Sequence, residues 1–317
     1  MRIAPVLVAA ILTAAHTSAQ SAPSIGWRIA KLENPTKQGE KVLNAVVHYP
    51  AKVGSKRPRN AALAAGKTIF PVIVFLHGYG ASGGMMVSIG QHFAEHGYVV
   101  VLTNTTRKDR KKQAINASAF FDALEKVNKD KESFFAGRLD MKRVGISGHS
   151  MGGGNTLRVL AKDNPGYKAG FCFAPWTTRG AGEDEYIARF TKNVDVPLAI
   201  VHGVKDKVLP WKENAVRLYD AVKKDKAFRS FWVLGDKATH VNIAVPSMLR
   251  RASDPTFQLC SGMATAFFDR FLKGKKKALD RFLDPKKKPK GVEALHMNAT
   301  QGAEKTDGES AKERKSA

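Results

Sequence analysis

Cysteine is nearly missing from these 317 residues, with Cys172 and Cys260 the only two. That excludes a disulfide-dense scaffold, so the fold must rest on a hydrophobic core, and the 43% hydrophobic content of the chain can supply one. Cys172 falls in a strand-like segment and reads most simply as a small buried residue, while Cys260 falls in a helix-like one. Their spacing does not decide whether they bridge. Histidines and cysteines show no zinc-like spacing, so neither a metal nor another cofactor is expected. After the first twenty residues no apolar run is long enough for a membrane span, and no integral membrane protein is expected. No internal repeat is evident, which excludes a solenoid.

Acidic residues are also scarce, 28 against 52 basic, for a net charge of +24. Residues 273–317 hold 13 basic and 7 acidic residues, or +6, so most of the excess is spread over the rest of the chain. Local concentrations lie at 107–112, 223–226, 275–277 and 286–288. A solvated basic surface is the simple reading, and it can attract an anionic polymer or surface. No aromatic-interleaved basic motif points to nucleic acid.

What is present begins at the amino terminus. Met1-Arg2, an apolar run over 3–15 and the small-residue end Thr17-Ser18-Ala19 form a signal-peptide pattern over 1–19, which predicts a secreted or periplasmic protein. Residues 27–49 alternate apolar and polar like an antiparallel edge, and strand and helix signals then alternate through 272. That order predicts one α/β domain over 20–274, doubly wound around a mostly parallel sheet with helices on both faces. The Lys-rich remainder, 275–317, is expected to be a disordered tail, and a monomer is expected.

The densest information lies in Gly148-His149-Ser150-Met151-Gly152, a G-x-S-x-G run between a strand-like segment, 142–147, and a helix-like one, 153–161. In that context the run reads as a nucleophile elbow, with Ser150 held in a strained turn at the carboxyl edge of the sheet. Two partners follow in chain order. The strand at 196–202 leads to Asp206, and the strand at 228–234 leads to His240. A serine hydroxyl is a weak nucleophile until an imidazole can take its proton, and a carboxylate must hold that imidazole. Asp236 is the alternative acid, but it lies only four residues from His240 in the same loop. Upstream, the strand 70–76 runs into His77-Gly78-Tyr79-Gly80. The backbone N–H groups of Tyr79 and Met151 are then the expected oxyanion hole.

With these residues in place, 72–271 resembles the α/β-hydrolase superfamily, and within it the dienelactone-hydrolase-like branch of bacterial cutinases and polyester (PET) hydrolases. Gly78-Tyr79, 92–100, 148–154, Ala174-Pro175-Trp176 and Asp206-Lys207-Val208 carry the resemblance. It implies a serine carboxylic-ester hydrolase without a large cap domain, acting on a bulky or polymeric ester. It further implies that Tyr79 and Trp176 flank the acyl cleft and that Met151 and Val208 line it. A lipase or a polysaccharide acetyl esterase is the alternative enzyme, and a basic binding protein on a hydrolase scaffold the non-enzyme alternative. Trp176 is either a π-face for the acyl group or a core residue. The chain departs from the polyester-hydrolase pattern in a longer stretch at 177–195 and in having no cysteine beside Asp206 or His240.

Overall fold

The computed structural model describes residues 24–52, 54, 59–162, 164–177, 193–223, 227–246 and 254–298. The signal-peptide pattern at 1–19, most of the 177–195 stretch and the chain beyond 298 lie outside the described residues.

The apolar run at Phe70–Leu76 is buried along its whole length because side chains alternate between two cores. Phe70, Val72, Val74 and Leu76 join one cluster, and Ile73 and Phe75 join the other. This strand, β3, is the third of nine among the described residues. The others are β1 Ile25–Glu33, β2 Val42–Pro50, β4 Val99–Thr103, β5 Leu139–His149, β6 Ala169–Phe173, β7 Leu198–Gly203, β8 Arg229–Leu234 and β9 Val292–Met297. They form one sheet in the order β1-β2-β4-β3-β5-β6-β7-β8-β9. From β4 to β8 neighbours are parallel. β1, β2 and β9 run antiparallel to their neighbours at the two edges.

Helices cover both faces, as expected. α2 (Arg110–Lys129), α3 (Met151–Lys162) and α4 (Arg217–Val222) pack on one face through residues such as Phe120, Leu157 and Leu218. α1 (Val87–Glu95) and α5 (Pro255–Phe271) pack on the other through Phe93, Phe267 and Phe268. Cap chemistry fixes where these helices start: the Asp109 side chain accepts from the Lys112 N–H at 3.0 Å, and Asp254 precedes Pro255, which needs no N–H partner. Cys172 belongs to the first core and Cys260 to the second, and both are free. The sheet therefore stands between them, and they do not bridge.

The expected boundary at 274 is too early. A short helix, α6 (Asp280–Leu283), and β9 continue the fold through 297. Asn298 ties the end of β9 to β8, accepting from the Arg229 N–H at 3.0 Å and donating from Nδ2 to the Ala227 carbonyl at 2.7 Å. The His296 ring stacks on Phe231 at 5.5 Å. An edge strand needs only one packed face, so it can form from a segment whose low apolar content suggests disorder.

Candidate active site

β5 ends at His149 and α3 begins at Met151, which leaves Ser150 alone to turn the chain. Its φ is 56°, a left-handed conformation that costs a residue with a side chain about 1–2 kcal/mol. Backbone hydrogen bonds hold it there. The Ser150 N–H donates to the Phe173 carbonyl at 2.9 Å, and the Ser150 carbonyl accepts from the N–H groups of Trp176 at 2.9 Å and Gly154 at 3.0 Å. A Cβ on Gly152 would lie 2.1 Å from the Leu76 carbonyl oxygen. Only glycine lets the start of α3 rest so closely on the end of β3.

The candidate acid and base meet beside this turn. His240 Nδ1 lies 2.7 Å from Asp206 Oδ2, while Asp236 stays exposed in the loop after β8. Asp206 Oδ1 accepts from the N–H groups of Val208 at 2.9 Å and Leu209 at 2.8 Å. Burial alone would push this carboxyl up, but the hydrogen bonds from His202, His240 and Leu209 outweigh it and hold the pKa well below the ordinary carboxylate value. Asp206 is thus an anion against the His240 ring. His240 is docked onto the elbow through His149, whose Nε2 lies 2.7 Å from the His240 carbonyl oxygen. Burial lowers the His149 pKa to about 3, so at neutral pH its ring is uncharged and Nε2–H donates. The Ser150 hydroxyl makes no hydrogen bond to the His240 ring among the described residues. Such contacts are often long without substrate and tighten when it binds.

Two backbone donors face no partner among the described turns and helix ends. Met151 opens α3, so its N–H has no acceptor within the helix, and the Tyr79 N–H takes no part in the loop hydrogen bonds around it. Gly78 lies against the elbow, since a Cβ built there would be 3.4 Å from both Ser150 Cβ and His149 Nδ1. The neighbouring loop is fixed by Arg107, whose guanidinium donates to the carbonyls of Gly80 at 2.6 Å and Ala81 at 3.1 Å.

Around Ser150 and His240 the side chains are more open. Tyr79 is 56% exposed, Val208 66% and Val241 53%. Trp176 is half-buried and belongs to neither core, which removes the core reading. Its ring meets Tyr79 edge-on at 6.2 Å, and the Arg110 guanidinium lies 4.2 Å from its centroid. Part of the expected π-face is therefore already covered. The Met151 side chain is fully buried and does not line an open cleft; what it can offer a substrate is its N–H.

The PET hydrolase-like family model matches residues 43–283, about three quarters of the chain. The chain belongs to the PET hydrolase-like family. Its fold is accordingly that of the α/β-hydrolases. Similar curated proteins include cutinase est1 of Thermobifida alba, 29% identical over 54% of this chain and 53% of that protein. Cutinase 2 of Thermobifida cellulosilytica is 30% identical over 54% and 61%. A bis(hydroxyethyl) terephthalate hydrolase of Streptomyces coelicolor is 28% identical over 54% and 50%. The chain thus spans about half the length of the curated relatives it matches.

Sequence reasoning singles out Ser150, Asp206, His240, Tyr79 and Met151, and the structure brings their loops to one sheet edge. It misses His149 and His202. Both stand inside the motifs being read, as the variable residue of G-x-S-x-G and as the residue four places before Asp206. Their contacts, however, depend on loops far away in sequence.

Proposed function

We propose that this chain is a serine carboxylic-ester hydrolase of cutinase type, with Ser150, Asp206 and His240 as its triad. The Asp206–His240 pair, hydrogen-bonded through His149 to the strained turn of Ser150, carries the reading. In the first half-reaction Ser150 Oγ attacks the ester carbonyl while His240 Nε2 takes its proton. The Tyr79 and Met151 N–H groups receive the negative oxygen, and Asp206 stabilises the imidazolium. The carbon–oxygen bond to the alcohol breaks, and His240 returns the proton to the leaving oxygen. Water then attacks the acyl-enzyme by the same route and releases the acid.

The exposed Tyr79, Val208 and Val241, together with the Trp176 edge, support an apolar acyl or aryl ester, bulky or polymeric, in preference to an acetylated sugar. The names of the similar proteins, cutinases and a bis(hydroxyethyl) terephthalate hydrolase, point the same way. The test is to treat the purified chain with an active-site phosphonate and to assay p-nitrophenyl esters, an aromatic polyester and an acetylated polysaccharide. A single adduct on Ser150, with hydrolysis favouring the apolar esters, is expected. An adduct on a different serine, or no turnover of any ester, overturns the assignment and leaves the binding-protein alternative.

A further inference from the structure

His202 lies next to the end of β7, four residues before Asp206, and its side chain is fully buried. Its Nε2 is 2.8 Å from the Leu209 carbonyl oxygen and 3.0 Å from Asp206 Oδ2. Both are acceptors, so Nε2 carries a proton and shares it between them. Nδ1 meets no hydrogen-bond partner among the described residues. A buried polar atom left unpaired is costly, and an apolar ring would fill the site without that cost. A histidine here is explained by what its other nitrogen does.

We propose that His202 is a positioning residue for the triad: its Nε2–H fixes Asp206 Oδ2, the same oxygen that receives His240 Nδ1–H. The inference rests on the serine-hydrolase reading above. The backbone N–H groups of Val208 and Leu209 pin Oδ1 and leave the carboxylate free to swing about that corner. The His202 donor stops the swing. It also draws on the lone pairs of Oδ2, so Asp206 holds the imidazolium of His240 less tightly than an otherwise unpartnered carboxylate oxygen would. Titratable groups around the pair are His149 on the elbow, Lys205 and Lys207 on the loop of Asp206, and Asp236 and Lys237 on the loop of His240. Of these, His149 contacts the His240 backbone directly.

The experiment compares His202→Phe, His202→Gln and His202→Asn with wild type and Asp206→Asn. It measures kcat and KM on a soluble p-nitrophenyl ester across pH, melting temperature, and the fraction of sites that react with the phosphonate. His202→Phe should lower kcat about ten- to hundredfold, as expected for losing a hydrogen bond to a charged group, with KM nearly unchanged. Its acid limb in kcat/KM should move to higher pH, because Oδ2 then serves His240 alone. His202→Gln, whose amide reaches about as far as Nε2, should recover most of the loss, and the shorter His202→Asn should not. Wild-type kcat with an unmoved acid limb in His202→Phe overturns the proposal. A loss equal at every pH and matched by fewer titratable sites also overturns it, by showing a structural role alone. Should His202→Phe fail to fold, equal activity of the Gln and Asn variants overturns it. Asp206→Asn separates the two readings: if that variant keeps full activity, the triad itself fails, whereas a collapse there beside unaffected His202 variants removes only the role of His202.

Discussion

The floor and the rim of the candidate site are built in opposite ways. On the floor the carboxylate and the turn are held by assigned partners: Asp206 accepts from four N–H groups, and the Ser150 backbone is held by β6 and its loop. On the rim, Tyr79, Val208 and Val241 face solvent, and Trp176 is held by ring contacts and its backbone. The floor fixes directions through hydrogen bonds, while the rim supplies area. Rate and selectivity should therefore respond to different substitutions, and a series of variants can break that division or sharpen it.

The largest effect belongs to Ser150→Ala, which should lower kcat by about 10⁴–10⁶ with melting temperature near wild type, measured by ester hydrolysis and thermal unfolding. A small loss there would end the division at once. Next, Asp206→Asn should cost about 10³–10⁴ in kcat, while the exposed Asp236→Asn should stay within about twofold, because of the two only Asp206 bonds the His240 ring among the described residues. Comparable losses in the two would move the acid to the other loop.

Stability should fall in acid by a mechanism located away from the rim. Burial lowers the pKa of His48 and His92 to about 4 and that of His149 to about 3, against 6.5 when unfolded. Between those values the unfolded chain binds protons that the folded chain refuses. Stability from these groups is then complete above pH 6.5 and drains away as pH falls toward 4 and 3. Melting temperature measured from pH 8 to 4 should drop below pH 6.5, and His149→Gln should flatten part of the slope. A flat profile in the wild type would contradict the buried neutral state.

On the rim, Trp176→Ala should cut kcat/KM for aromatic or long acyl esters about tenfold and spare acetyl esters. The ring lies outside both cores, so the stability loss should be smaller than the roughly 3–5 kcal/mol typical of a deleted core aromatic. A uniform loss on all esters would make Trp176 part of the floor. The smallest effect is expected from Arg110→Gln. A cation–π contact is worth about 0.5–1 kcal/mol at an exposed site, so aromatic esters should change by about two- to fivefold while acetyl esters stay level.

Much of the floor was legible in the sequence because its residues follow strands with strong periodicity. Ser150 directly follows β5, and Asp206 and His240 lie in the loops that follow β7 and β8, and a sheet edge gathers such positions without any need to know how they pack. His202 and His149 were not legible as partners, since their hydrogen bonds reach Asp206 and the His240 backbone across loops that only the folded sheet brings together. The Met151 side chain was misplaced for a related reason: a residue at a helix start can serve through its N–H while its side chain turns into the protein. β9 escaped because six residues with one packed face carry little apolar signal, and its anchor is Asn298, whose partners lie about seventy residues earlier.

The two hydrogen bonds that fasten the Ser150 backbone to Phe173 and Trp176 also say something about timing. A chain that has grown only as far as α3 already contains Ser150, yet the partners that hold its left-handed turn are still to come, and a strain of about 1–3 kcal/mol is enough to relax it. Asp206 and His240 are still unmade. A nascent chain at that stage therefore carries Ser150 without the contacts that hold its turn. On the reading proposed above, reactivity at Ser150 is switched on by completing the sheet, which guards against stray acylation.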